Sequence, residues 1–133
     1  MVKEAYVSFE VAKLLKEKGF NEFCYTYYDN IDNSINRFDK GLHFNNTSYP
    51  WGVPYDVSKA KKYIVAPTQQ MTMAWLREKN ISIELSVVRS HYWVYTIYEI
   101  LNNKVKELYN DGGFNSYEDA VEAALKYTLE NLI

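Results

Sequence analysis

The 133-residue chain holds few side chains able to do chemistry, and their spacing argues against most of it. Its one cysteine, Cys24, could in principle serve as a nucleophile with His43 or His91 as base. It lies in Glu22-Phe-Cys-Tyr-Thr-Tyr-Tyr28, a strand by residue type, where a lone cysteine behaves as a small buried hydrophobe. The two histidines fall in different elements with no adjacent ligand pair, so no metal site is expected. Asp29-Asn-Ile-Asp-Asn-Ser34 alternates Asp and Asn as a calcium loop does. Counting from Asp29 or Asp32, however, puts Ser34 or Arg37 where glycine is needed and Lys40 or His43 where a bidentate glutamate is needed. Gly112-Gly113 lacks the lysine of a phosphate-cradling loop and leads into a helix that opens acidic, which repels phosphate. The paired carboxylates Glu118 and Asp119 belong to that helix start. No catalytic, metal or cofactor residue is assigned, and the chain reads as a protein that is not an enzyme.

The elements around these residues are easier to read. Ser116 followed by Asp119 is a capping box, with Phe114 just before it, and it opens a helix over 116–132. Tyr117, Ala120, Val121, Ala124, Leu125, Thr128, Leu129 and Leu132 recur along one side of that helix, while Glu118, Asp119, Glu122, Lys126 and Glu130 take the other. Such a face calls for a sheet. Upstream, Ile81, Ile83, Leu85 and Val87 alternate with Ser82, Glu84 and Ser86, the period of a half-buried strand. Arg89 and Ser90 turn the chain into 91–101, a run rich in β-branched and aromatic residues that ends at Asn102-Asn103, two residue types suited to a type I′ turn. A third strand over 104–109 is expected to end before Asp111-Gly112-Gly113.

Toward the start, Ser8 caps a helix through Lys18 with Gly19 as its left-handed stop. A strand over 22–28 follows. From 30 to about 62 only a short strand near 42–44 is expected, because two prolines and a glycine in Tyr49-Pro-Trp-Gly-Val-Pro-Tyr55 forbid regular structure. After 63–66, Thr68 caps a second helix that ends at Lys79-Asn80, with Met71, Ala74, Trp75 and Leu76 inward. The fold expected is α+β: an antiparallel sheet, made of the three-strand C-terminal meander plus one or more N-terminal strands, packed by two or three helices in the order α-β-(loop/β)-α-β-β-β-α. It is read as one domain over 1–133, without repeat, low-complexity segment or linker. A net charge of −2 argues against a strongly basic nucleic-acid binder. One cysteine precludes an intrachain disulfide, and the opening residues contain no apolar targeting segment, so a cytoplasmic protein with no membrane span is expected.

Several stretches carry a likeness to known chains. Phe9-Glu-Val-Ala-Lys-Leu-Leu-Lys-Glu-Lys-Gly-Phe20, Ala66-Pro-Thr-Gln-Gln70, Trp75-Leu-Arg-Glu-Lys79, Ile81-Ser-Ile83 and Ser116-Tyr-Glu-Asp-Ala-Val-Glu-Ala-Ala-Leu-Lys-Tyr127 resemble short uncharacterised proteins carried by phages and mobile elements of gut bacteria. The resemblance leaves 29–62 apart and implies a phage or mobile-element context with no activity attached to any residue.

Two binding functions follow. In the first, thirteen tyrosines exceed what a core of this size needs, and the strand over 91–101 must present a bulky set on each face. Either Trp93, Tyr95 and Ile97 pack inward and Tyr92, Val94, Thr96 and Tyr98 point away, or the reverse. Tyr49, Trp51, Tyr55, Tyr92 and Tyr98 are then the candidate contacts of an interaction module for a host or phage protein, with a homodimer as a further form. In the second, the order helix, three strands, helix is similar to that of double-stranded-RNA-binding domains, and Lys59, Lys61, Lys62, Arg77 and Arg89 would contact phosphate. Against it, such domains place lysines at the start of the last helix, where this chain has Glu118 and Asp119.

Overall fold

The computed structural model describes residues 4–22, 24–29, 35–42, 63–89 and 91–133. Within them the chain is α+β, with three helices and two antiparallel three-stranded sheets, in the expected order. It divides into two compact units, Tyr6–Pro67 and Thr68–Ile133 together with Met1–Ala5.

In the unit Tyr6–Pro67, α1 (Phe9–Glu17) starts where the Val11 amide donates to Ser8 Oγ at 3.1 Å. It ends in a Schellman motif: Phe20 N–H donates to Leu15 O at 2.9 Å and Gly19 N–H to Lys16 O at 3.2 Å, with Gly19 at φ +86. The turn drives Phe20 into the core beside Val11, Ala12 and Leu15. The sheet runs β2–β1–β3, from β1 (Cys24–Asp29), β2 (Ile35–Leu42) and β3 (Tyr63–Val65). Beyond the end of β3, Ala66 N–H donates to Thr26 O at 2.9 Å, and the buried Thr26 hydroxyl donates to Ala66 O, so a polar side chain inside this core is satisfied. Tyr28 donates its hydroxyl to Val7 O at 2.7 Å and meets the Phe9 ring edge-on at 5.6 Å.

Strand β2 takes the place that the expected order gave as loop or strand, and it begins earlier than the short strand expected near 42–44. Among the described residues it pairs on one side only, and its sequence, with Arg37, Asp39, Lys40 and Gly41, shows no clean apolar-polar alternation from which a strand could be read. Of the short strand expected at 42–44, Leu42 is the last residue of β2, and residues 43–62 lie outside the described residues.

In the other unit, α2 (Gln69–Glu78) is capped by Thr68, whose Oγ1 accepts from the Met71 amide at 3.1 Å. Its inward face is Gln69, Thr72, Met73, Trp75 and Leu76, whereas Ala74 is exposed and Met71 half-buried, a phase shift from the expected face. Two polar residues disguised it. Thr72 donates its hydroxyl back to Thr68 O at 2.9 Å, and Gln69 Nε2 donates to Glu118 O at 2.9 Å, so both enter the core with a partner. Asn80, at φ +67, turns the chain directly into β4 (Ile81–Val88), which pairs with β5 (Tyr92–Leu101), which pairs with β6 (Lys104–Phe114). Asn102 and Asn103, at φ +53 and +61, make the expected tight turn. The closing helix α3 (Tyr117–Asn131) is capped by Ser116 Oγ, which accepts from the Asp119 amide at 3.0 Å. Its Ala120, Val121, Ala124, Leu125, Thr128 and Leu129 are buried, as the periodicity predicts.

The third strand runs through the glycine pair to Phe114 instead of ending before it. The register shifts by one extra β6 residue between the pairs Trp93↔Phe114 and Tyr95↔Asp111, and by another between Ile97↔Tyr109 and Tyr98↔Glu107. Gly113 supplies φ +87, and Gly112 lies so close to β5 that an added Cβ would collide with Val94 Cγ1 and sit 3.3 Å from Val94 Cβ. Both glycines therefore bend the ladder without breaking it.

Candidate interaction surface

The two faces of the β4–β6 meander have different chemistry. One is covered by α2 and α3. There Tyr95 and Ile97 are buried, Ile83 and Leu85 stand opposite them, Trp93 meets Tyr117 edge-on at 5.3 Å, and Tyr109 stacks on Tyr127 at 3.7 Å with 9° between planes. This settles which set of β5 turns inward. Tyr92, Val94, Thr96, Tyr98 and Ile100 consequently point to the opposite face.

On that outer face β4 contributes Ser82, Glu84, Ser86 and Val88. Register with β5 adds Val105 opposite Ile100, Glu107 opposite Tyr98, and Asn110 opposite Thr96 on β6. Val88, Tyr92, Ile100 and Val105 are all more than two-fifths exposed, Val105 at 64%. Tyr98 is half-buried between its neighbours. The charges that the strands themselves place on this face among the described residues are Glu84 and Glu107, both carboxylates, while Arg77 at the end of α2 lines a depression at its border with Ser82 and Ile100, so the surface is apolar with carboxylates at its centre. Of the expected contacts, Tyr92 and Tyr98 thus share one surface; Tyr49, Trp51 and Tyr55 lie outside the described residues. The sequence reading missed Val88, Ile100 and Val105. The signal for Ile100 and Val105 was present in the Asn102-Asn103 turn, which fixes their pairing.

The basic residues are not brought together. Arg77 is exposed at the end of α2 and Arg89 in the β4–β5 turn, at φ +55; the eight residues of β4 lie between them. At about 3.3 Å per residue that is roughly 25 Å. Lys79, which could reinforce Arg77, stands 4.6 Å over the Trp75 ring. Glu118 and Asp119 are exposed at the start of α3. Lys59, Lys61 and Lys62 lie outside the described residues.

A depression of about 190 Å³ where the starts of α2 and α3 meet is lined by Glu4, Ala5, Thr68, Gln69, Gln70, Tyr117 and Glu118. Two hydrogen bonds cross it, Gln70 Nε2 donating to the Tyr117 hydroxyl at 3.0 Å and Gln69 Nε2 to Glu118 O at 2.9 Å, and they tie the two helix starts together. Among the described residues no group of three His, Cys, Asp or Glu could hold a metal ion, and no helix is long and apolar enough to cross a membrane. Comparison with protein-family models, curated proteins and solved structures finds no match for the chain.

Cys24 is buried, and burial, with Glu22 beside it, pushes its thiol up to about 12. Burial, with Asp111 and the phenols of Tyr109 and Tyr127 nearby, likewise pushes the Tyr95 phenol up to about 12. Both groups keep their protons in the fold longer than in the unfolded chain, whose values are 9.0 and 10.0. Their contribution to stability is intact below about pH 9 and is lost as pH rises toward 12. Urea unfolding at pH 8 and pH 10.5 is expected to show a lower midpoint at the higher pH, and a thiol reagent at pH 8 should modify Cys24 far more slowly in the folded than in the unfolded chain. Equal rates in the two states would refute the burial account.

Proposed function

We propose that the protein is a small binding module that recognises another protein through the outer face of the β4–β6 meander and catalyses no reaction. The observation that carries this reading is the exposure of Val88, Tyr92, Ile100 and Val105 across all three strands of one face. Apolar and tyrosine side chains on a rigid sheet lose little entropy on contact and bury large area, which suits a protein surface. Glu84 and Glu107 on the same face would repel a nucleic-acid backbone and favour a partner with basic residues around an apolar centre. The duplex-RNA reading has only the order of elements in its favour, and that arrangement hosts many functions. The context proposed is a phage or mobile element, with the module acting in the cytoplasm on a host or phage protein.

The test is capture from host lysate with tagged protein, with and without nuclease, followed by titration of the recovered partner against Tyr92→Glu and Ile100→Glu. A nuclease-resistant protein whose affinity falls at least tenfold in both variants, about 1.4 kcal/mol, is the expected result. Salt-labile nucleic acid in place of a protein, or affinity unchanged in both variants, would refute the proposal.

A further inference from the structure

The two edges of the meander differ in a way that bears on self-association. Strand β6 is interrupted twice and exposes Lys104, Lys106, Glu107 and Asp111, features that discourage a further strand from pairing. Strand β4 has none of these protections. It pairs with β5 through eight consecutive residues without a bulge, contains no proline, and has Glu84 as its one charged residue. Among the described residues no strand lies on its other side.

The bonding phase of that edge can be read directly. Ile100 N–H donates to Asn80 O at 2.9 Å, which places Ser82, Glu84, Ser86 and Val88 in hydrogen-bonded register with β5. The amides and carbonyls of Ile81, Ile83, Leu85 and Val87 therefore point outward. Ile81 and Ile83 are buried, whereas Leu85 is half-buried, Val87 is 48% exposed and Val88 42% exposed. The accessible part of the edge is thus its last half, where bare backbone groups and exposed apolar side chains coincide.

We infer that β4 pairs antiparallel with β4 of a second copy about a two-fold axis through Ser86, giving one continuous sheet across the dimer. In this register Leu85 stands opposite Val87 of the copy, and the two pairs exchange roughly four backbone hydrogen bonds. Four apolar side chains meet on the helix-covered face, which accounts for the exposure of Val87. On the other face Ser86 meets its own equivalent, and Glu84 meets Val88. A register centred on Glu84 engages more of the strand but sets two carboxylates directly opposite each other, which is destabilising, and one centred on Leu85 sets Val87 against Ile83, which is already buried under the helices. A second copy suits the edge because Leu85 and Val87 complement each other under a two-fold, as an isologous interface requires. The pairing engages Glu84 and Val88, the β4 part of the proposed partner surface, and leaves Tyr92, Ile100 and Val105 uncovered, so a partner can still dock on β5 and β6 of the dimer.

Sedimentation velocity of the full chain from micromolar to near-millimolar concentration, with disulfide trapping, tests the inference. Wild type is expected to show a concentration-dependent monomer–dimer equilibrium that Val87→Lys weakens at least tenfold; Val87 is exposed enough for the lysine to leave folding intact, which circular dichroism verifies. Ser86→Cys, in a non-hydrogen-bonded pair on the axis, should form a covalent dimer under mild oxidation. Glu84→Cys and wild type, whose Cys24 is buried, should not. A monomer at every concentration, a dimer indifferent to Val87→Lys, or Glu84→Cys linking as fast as Ser86→Cys would overturn it. Protection of the Leu85 and Val87 amides from hydrogen exchange only when a different protein is bound would assign the edge to a foreign strand and would also overturn it.

Discussion

Leu125→Ala is expected to lower the unfolding free energy by about 3 kcal/mol and the melting temperature by about 10 °C. Leu125 is 0% exposed in the middle of the inward face of α3, in line with Val121 and Leu129, and nothing else can fill the space it leaves without moving the helix. The loss combines the transfer free energy of the deleted methyl groups with the cavity left behind, and the wide range of such costs reflects how far the surroundings collapse. Val105→Ala is the control. That side chain is 64% exposed on the outer face, and its truncation should change stability by no more than about 0.5 kcal/mol. Denaturant titration of both variants decides the matter, and equal costs would mean that α3 does not carry the core described for it.

The second large effect concerns the glycine pair of β6. Gly112→Ala is expected to cost about 2 kcal/mol, because its Cβ would enter the space of Val94 Cγ1, and a β-branched side chain next to backbone has little room to yield. Val94→Ala removes the obstructing methyl groups, so the double variant should be more stable than the sum of the two single costs predicts, by about 1 kcal/mol. Gly113→Ala provides the contrast. No atom lies within 4 Å of its added Cβ, yet φ is +87, so the substitution is strained by conformation and Val94→Ala should give no relief. Additive costs for Gly112 with Val94 would contradict the close approach of the two strands.

These two glycines also show where sequence reading stops. Everything set by neighbours along the chain was legible: the caps at Ser8, Thr68 and Ser116, the stop at Gly19, the Asn102-Asn103 turn, and the alternation of β4. Gly112-Gly113 read as a strand breaker because its reason is non-local, lying in Val94 across the ladder. Strand β2 was hidden for a related reason, since an edge in charged and polar residues lacks the alternation that burial imposes. The inward phase of α2 depended on Thr72 and Gln69 finding acceptors that the sequence does not display. At the candidate surface, Tyr92 and Tyr98 were legible as bulky residues of one parity. Which parity faces outward required α3 to cover Tyr95 and Ile97, whereas the placing of Val105 and Glu107 on that face, with Lys104 and Lys106 on the other, follows from the Asn102-Asn103 turn.

The unequal edges of the meander bear on how large any assembly can grow. A sheet with two open sides can add copies without limit, as fibrils do, whereas one open side under two-fold symmetry is consumed by the first association. The bulges and charges of β6 therefore act as a terminator. If Lys104, Lys106 and the glycine pair were replaced by a straight apolar strand, the same sheet would have a head and a tail, and closure at two copies would give way to open-ended polymer.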